Sequence, residues 1–237
     1  MEEPRDRIVF PLDVPTVREA RELTARLREV VGVFKIGLEL FIEGGPEAVR
    51  KIRAAGASRI FLDLKLHDIP ATTRRAAARA AALGVDWLTV HCGDGPGTLQ
   101  AAVDGAAGRT AILGVTVLTS VSADDLAVDP VQLVLRRAEM ARAAGCAGVV
   151  CSGREAAPVR AAAGPAFRIV TPGIRPAEAD AGDQQRVMTP ARAIQEGSDY
   201  LVIGRPIREA ADPVAAARSV AEEIAAALAG ESKASGA

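Results

Sequence analysis

The run "RIFLDLKL" (residues 59–66) is nearly continuous in Ile, Phe and Leu, and the stretch that follows it, "HDIPATTRRAAARAAALG" (67–84), is rich in Ala and Arg. A run of that length without strict polar alternation fits a strand covered on both faces, as in a parallel sheet. The Ala/Arg segment has helical character, and Gly84 stands where a helix C-cap is wanted. The same two-part unit recurs on either side. Before it come "RIVFPLDV" (7–14) and "GVFKIGL" (32–38). After it come "DWLTVHC" (86–92), "TAILGVTVLT" (110–119), "AGVVCS" (147–152), "FRIVTPGI" (167–174) and "DYLVIGRPI" (199–207). The segments between them, among them "TVREARELTARLREV", "GPEAVRKIRAAG" and "DPVQLVLRRAEMARAAG", carry apolar residues at helical spacing, and Gly56 and Gly145 close two of them. Eight strand–helix units in a chain of 237 residues predict an α/β fold, a (β/α)8 TIM barrel. A doubly wound open sheet is the alternative that counting leaves standing.

No linker or composition break divides the chain, so one barrel domain is expected over residues 1–229, with "GESKASGA" (230–237) as a small, polar, flexible C-terminal tail. Pro11 interrupts the first run. Having no N–H, it predicts a local irregularity, or a strand that begins pairing after it.

The balance of 49% hydrophobic and 25% charged residues is that of a soluble globular protein. A net charge of −1 gives no field suited to nucleic acid or an anionic membrane. No apolar stretch approaches the roughly 20 residues that span a bilayer. "MEEPRDRIVF" has no secretory pattern. Cys92, Cys146 and Cys151 are an odd set without metal-ligand spacing, read as reduced thiols of a cytoplasmic protein, and two histidines are too few for a multi-histidine metal site.

What the third run should not contain, if it is only core, is charge. Asp63, Lys65 and Asp68 lie within six residues. Strand alternation sends Asp63 and Lys65 to the same side, which in a barrel is inward at the C-terminal end, where active sites of this fold lie. Asp68 falls in the loop before a helix starting near Pro70. Taken alone, the spacing fits a structural ion pair as well as a catalytic group.

The wider sequence separates the two. "FLDLKLHDIP" with the "ATT" that follows resembles the signature of the orotidine 5′-monophosphate decarboxylase family. "PLDV", "KIGLELF", "VTVLTS", "TPGIRP" and "IGRPI" are similar to further family motifs in the same order, so the resemblance covers nearly the whole chain. It implies cofactor-independent removal of CO2 from orotidine 5′-monophosphate to give uridine 5′-monophosphate, the last step of pyrimidine nucleotide synthesis. With no coenzyme to accept electrons, placed charge must do that work. By resemblance Lys65 stabilises and protonates the ring carbon, Asp63 lies close to the substrate carboxylate, and both aspartates flank the ammonium. Unit charges 4 Å apart attract by about 4 kcal/mol at an effective dielectric of 20. The resemblance also implies a homodimer in which Asp68 and Thr72 complete the partner's site. Asp13 and Lys35 are implied ribose contacts, and Thr119 is a contact near the pyrimidine, with Ser120 beside it.

Barrels commonly bind phosphate with the loops after strands seven and eight. Here these loops hold Arg175, Gln184, Gly204 and Arg205. Arg205 offers a planar fork, Gly204 permits close approach, and Gln184 is the implied ligand, one position from Gln185. The long seventh loop has the length of a lid. His67 is expected to shape its loop by a hydrogen bond, and His91 and Cys92 to pack at the rim. Pro11 before "LDV" and Ala71 in "IPATT" depart from the family pattern. Two rivals remain: a Mg-dependent sugar-phosphate lyase of the same superfamily (3-keto-gulonate 6-phosphate decarboxylase or hexulose-phosphate synthase), and a non-catalytic nucleotide-binding barrel. The first resembles this chain in its D-x-K-x-x-D motif but places an acidic metal ligand where Lys35 stands.

Overall fold

In the computed structural model, which describes residues 3–118, 128–176 and 188–234, eight parallel strands close into a barrel in sequence order. They are β1 (Ile8–Pro11), β2 (Val33–Ile36), β3 (Arg59–Leu66), β4 (Trp87–His91), β5 (Ala111–Val115), β6 (Gly148–Val150), β7 (Arg168–Thr171) and β8 (Tyr200–Val202). Helices α1 (Val17–Leu27), α2 (Leu38–Ala54), α3 (Pro70–Ala82), α4 (Pro96–Ala106), α5 (Pro130–Ala143), α6 (Gly153–Ala163) and α7 (Pro190–Gln195) follow the first seven strands. After β8 come the single turn α8 (Arg205–Arg208) and α9 (Pro213–Ala234). The barrel is the predicted one, and the open doubly wound sheet is excluded because β8 pairs with β1. α9 carries helical backbone to Ala234, inside the stretch 230–237 expected as a tail.

Local chemistry accounts for the helix boundaries. Thr16, Asp129 and Thr189 cap their helices by accepting the backbone N–H groups of Glu19, Gln132 and Arg192. The predicted closing glycines Gly56, Gly84 and Gly145 take positive φ of 103°, 73° and 81°. α2 was expected only from residue 45. It begins seven residues earlier and kinks at Gly45, before Pro46.

Alternation along the strands divides the apolar residues into two cores. Ile8, Phe10, Phe34, Ile36, Ile60, Leu62 and Leu88 face the helices. Val9, Val33, Phe61, Trp87, Leu113, Val170 and Tyr200 fill the barrel interior. Trp87 makes edge-to-face contacts with Phe61 and Tyr200, at centroid distances of 5.7 and 4.6 Å. Below them the Arg59 guanidinium lies 5.9 Å from the Trp87 ring and 5.7 Å from Tyr200. The lower half of the barrel is therefore solid. Two residues further along their strands, on the same inward rows, stand Lys35, Asp63 and Thr89 in place of apolar side chains.

Pro11 bears out the first expectation, a local irregularity, and not a strand that begins pairing after it. It pairs in register with Lys35 of β2, and Leu12 continues that ladder by donating to the Lys35 carbonyl at 2.9 Å. On the other edge, β1 leaves β8 after Val9↔Val202. The absent N–H ends pairing on one side only, just below the site.

Candidate active site

The mouth of the barrel at the strand C-termini holds a chamber of about 510 Å³, within the range of small-molecule sites. Its polar lining has two parts. On the β1–β3 side, Asp13, Lys35, Asp63 and Lys65 form a chain of alternating charge. Lys35 Nζ lies 3.4 Å from Asp13 Oδ1 and 3.5 Å from Asp63 Oδ2, and Lys65 Nζ lies 2.8 Å from Asp63 Oδ2. On the β7–β8 side stand Arg175, Arg205 and Arg208. Val115, Val117, Leu118, Val150 and Ile174 supply apolar wall. Among the described lining residues five cations face two carboxylates, a balance suited to a polyanionic ligand.

Asp63 is 8% exposed, yet it carries its charge. Burial pushes its carboxyl up; attraction to Lys35 and then Lys65, with hydrogen bonds from Lys65 and Thr89, outweighs that and leaves it below the usual carboxylate range.

Lys65 lines the chamber beside Asp63, as alternation predicts, while Leu64 and Leu66 pack on the helix side, but its backbone is not that of a regular strand. β3 and β4 pair at Leu62↔Leu88 and next at Leu66↔Val90, so β3 bulges between these points, and Lys65 takes a left-handed φ of 48°. Its N–H donates to Thr89 Oγ1 at 2.9 Å, and that hydroxyl donates to Asp63 Oδ1 at 2.9 Å.

Asp68 and Thr72 do not line this chamber. β3 ends at Leu66, the chain turns, and Asp68 is exposed, its Oδ1 accepting the Ile69 N–H at 2.7 Å. Within its own chain Lys65 is flanked by Asp63, and Asp68, expected in the partner's site, stands outside the chamber. Thr72 is half-buried in the first turn of α3, and α3 is set close against α4: a Cβ on Gly105 would meet the Arg74 carbonyl oxygen at 2.2 Å. His67 Nε2 lies 3.1 Å from Asp94 Oδ1, and its ring stands edge-on to His91 at 5.2 Å. The His91 pKa is lowered by burial, and further by His67 and Lys65. Cys92 is buried, its thiol pushed up to about 12 by that burial.

Arg175 is buried and its N–H donates to the Met188 carbonyl at 3.0 Å, beside the Ile174↔Met188 bridge. Gly204 is the N-cap of α8, and a Cβ there would lie 2.8 Å from Pro11 Cγ. In this chain the glycine therefore answers first to the Pro11 ring. Thr119, Ser120, Gln184, Gln185 and the part of the expected lid loop at residues 177–187 lie outside the described residues.

Sequence reasoning missed Thr89 and Arg208. Thr89 had a usable signal, being two residues after Trp87 on an inward row. Arg208, three after Arg205 in a helical turn, donates to the Asp13 carbonyl.

Residues 6–220 match the model of the orotidine 5′-phosphate decarboxylase / HUMPS family. The chain belongs to that family. The orotidine 5′-phosphate decarboxylase of Desulfosudis oleivorans is 48% identical, with 95% of each chain covered. That of Rhodopseudomonas palustris is 49% identical over 94% of this chain and 96% of the relative. Among solved structures, the orotidine 5′-phosphate decarboxylase of Lactobacillus acidophilus superposes with a TM-score of 0.80 at 34% identity, covering 92% of this chain and 98% of that one. Two branches are joined in the family's name, so the family alone leaves the reaction to be argued from the side chains. Among the described residues, no helix is long and apolar enough to cross a membrane.

Proposed function

We propose that this chain decarboxylates orotidine 5′-monophosphate to uridine 5′-monophosphate and CO2, the last step of pyrimidine nucleotide synthesis, using charge in place of a cofactor. The observation that carries the reading is Lys35. Its ammonium stands between Asp13 and Asp63 at 3.4 and 3.5 Å. A sugar-phosphate lyase of the same superfamily needs a divalent ion held by an acid at that point of the second strand. A lysine there repels the ion and takes up the carboxylates that would bind it.

In this reading the nucleotide spans the chamber, with its phosphate toward Arg205 and Arg175 and its pyrimidine toward Lys65. Gln184 and Thr119 are assigned to phosphate and pyrimidine by resemblance, and Asp13 and Lys35 to the ribose. When the bond to the carboxylate breaks, CO2 leaves and the electron pair stays on the ring carbon. The Lys65 ammonium stabilises that pair by proximity and then gives it a proton, leaving a neutral amine that solvent reprotonates. Asp63 keeps the ammonium aimed while burying a negative charge near the departing carboxylate. Asp68 and Thr72 serve the partner's site in a homodimer, a role supported by their position outside their own chamber. Three buried, unpaired cysteines support a cytoplasmic setting.

The test is loss of orotidylate absorbance with purified protein in EDTA. Turnover at full rate is expected. Activity that appears only after a divalent ion is added back overturns the assignment in favour of the lyase branch. Tight binding of uridine 5′-phosphate without turnover would favour a non-catalytic barrel.

A further inference from the structure

Between Leu62↔Leu88 and Leu66↔Val90, three residues of β3 face one residue of β4. Such a bulge strips backbone groups of their ladder partners, and a buried N–H left without one is costly. The vacancy opposite is filled by the Thr89 side chain, which is completely buried. Its hydroxyl accepts the Lys65 N–H at 2.9 Å and donates to Asp63 Oδ1 at 2.9 Å. A hydroxyl is a small group that both donates and accepts, and this site uses both capacities.

Two features show that the contact has structural work to do. Lys65 sits at φ 48°, a conformation that a lysine keeps only when its surroundings impose it. Asp63 has two acceptor oxygens with different duties. Oδ1 faces Thr89, and Oδ2 is left to Lys65 Nζ at 2.8 Å and Lys35 Nζ at 3.5 Å. One oxygen atom therefore fixes the lysine at both ends, through its backbone and through its counter-ion.

We propose that Thr89 is a positioning residue for the reaction, holding the Lys65 backbone in its left-handed turn and orienting Asp63 against the ammonium. This rests on the decarboxylase reading above. Catalytic groups must be held within about 0.5 Å of productive geometry, so the loss of this hydroxyl should fall on the chemical step more than on nucleotide binding.

Thr89→Val keeps the shape and removes both hydrogen bonds, and Thr89→Ser keeps them. We expect Thr89→Val to lower kcat by about ten- to a hundredfold with KM changed less than about threefold, the scale of lost hydrogen bonds to charged or buried groups. The acid limb of its pH–rate profile should move to higher pH, because Asp63 loses a hydrogen bond to its charged form. Thr89→Ser should recover most of the rate. Wild-type kcat and an unmoved acid limb in Thr89→Val would overturn the proposal, as would equal loss in Val and Ser variants of wild-type stability. A readout independent of activity is hydrogen exchange of the Lys65 amide. Protection in wild type and in Thr89→Ser, lost in Thr89→Ala, is expected, and an unprotected wild-type amide counts against the proposal. If the wild type fails to consume orotidylate, the decarboxylase reading falls and this measurement still judges the role of Thr89. If Thr89→Val does not fold, the Ser and Ala variants decide.

Discussion

Lys65 Nζ and Asp63 Oδ2 stand 2.8 Å apart in the chamber, on a strand that bulges against β4 at this point. Alternation puts both side chains on the inward face, and the bulge sets the backbone of the lysine. Burial sharpens the consequence of their closeness: in a site of effective dielectric near 20, opposite charges about 4 Å apart attract by roughly 4 kcal/mol, enough to fix one rotamer of a long side chain.

Replacing Lys65 by Ala removes the proposed acid and leaves Asp63 facing Lys35. Turnover of orotidylate is expected to vanish, while titration with uridine 5′-phosphate shows binding within about tenfold of wild type, a change of about 1.4 kcal/mol. Turnover at the native rate in this variant removes Lys65 from its role.

Arg205 lines the chamber from the β8 side, first in α8. Binding energy gained there on a phosphate is available to organise the reacting end. Arg205→Ala should cost about 3 kcal/mol or more in kcat/KM, over a hundredfold, with an unchanged urea midpoint. Near-normal kcat/KM would place the phosphate elsewhere.

Pro11 and Gly204 touch across the seam between the first and last strands, since a Cβ on Gly204 would come within 2.8 Å of Pro11 Cγ. Gly204→Ala should displace the start of α8 and with it Arg205, lowering kcat/KM. Combining it with Pro11→Ala, which deletes the obstructing Cγ, should restore part of the loss, so the two changes are non-additive. Additive losses in a double-mutant cycle would show that the contact does not govern the loop.

Asp68 is exposed and absent from its own chamber. If it serves a partner, an Asp68→Ala chain and a Lys65→Ala chain, each inactive alone, complement when mixed. After random reassortment one intact site forms per mixed dimer, about a quarter of wild-type activity for a symmetric pair. No recovery, with mixed dimers verified by mass, sinks the cross-subunit role.

His91 supplies a pH dependence of stability. Its folded pKa lies below 6.5, owing first to burial and then to His67 and Lys65. The unfolded chain therefore binds a proton that the folded chain resists, and stability rises with pH through the window between the two pKa values. As pH falls below about 6.5, the urea midpoint should decline, and His91→Asn should flatten that decline. An equal slope in both proteins would place the proton elsewhere.

The barrel was legible because its signal is local and repeated. Each apolar run, helix period and closing glycine carries its own information, and eight repeats leave few architectures. Asp63 and Lys65 were legible because charge within an apolar run contradicts burial, Arg205 because it stands in a loop where barrels bind phosphate, and Arg175 through the family resemblance. The departures came from residues whose role depends on a neighbouring strand. Thr89 is an ordinary strand threonine until β3 bulges against it. Pro11 announced an irregularity, and only the barrel placed it on the β8 edge of the strand and not on the β2 edge.

The chain's linear order thus determined the number of strand–helix units and the charged groups that crown them, since periodicity and composition act within a few residues. Only the closed barrel decided which hydroxyl holds Lys65, why residue 204 has no side chain, and on which edge of β1 the proline breaks pairing. Those outcomes depend on register between strands some 25 to 190 residues apart, and register is settled by the packing of the whole interior.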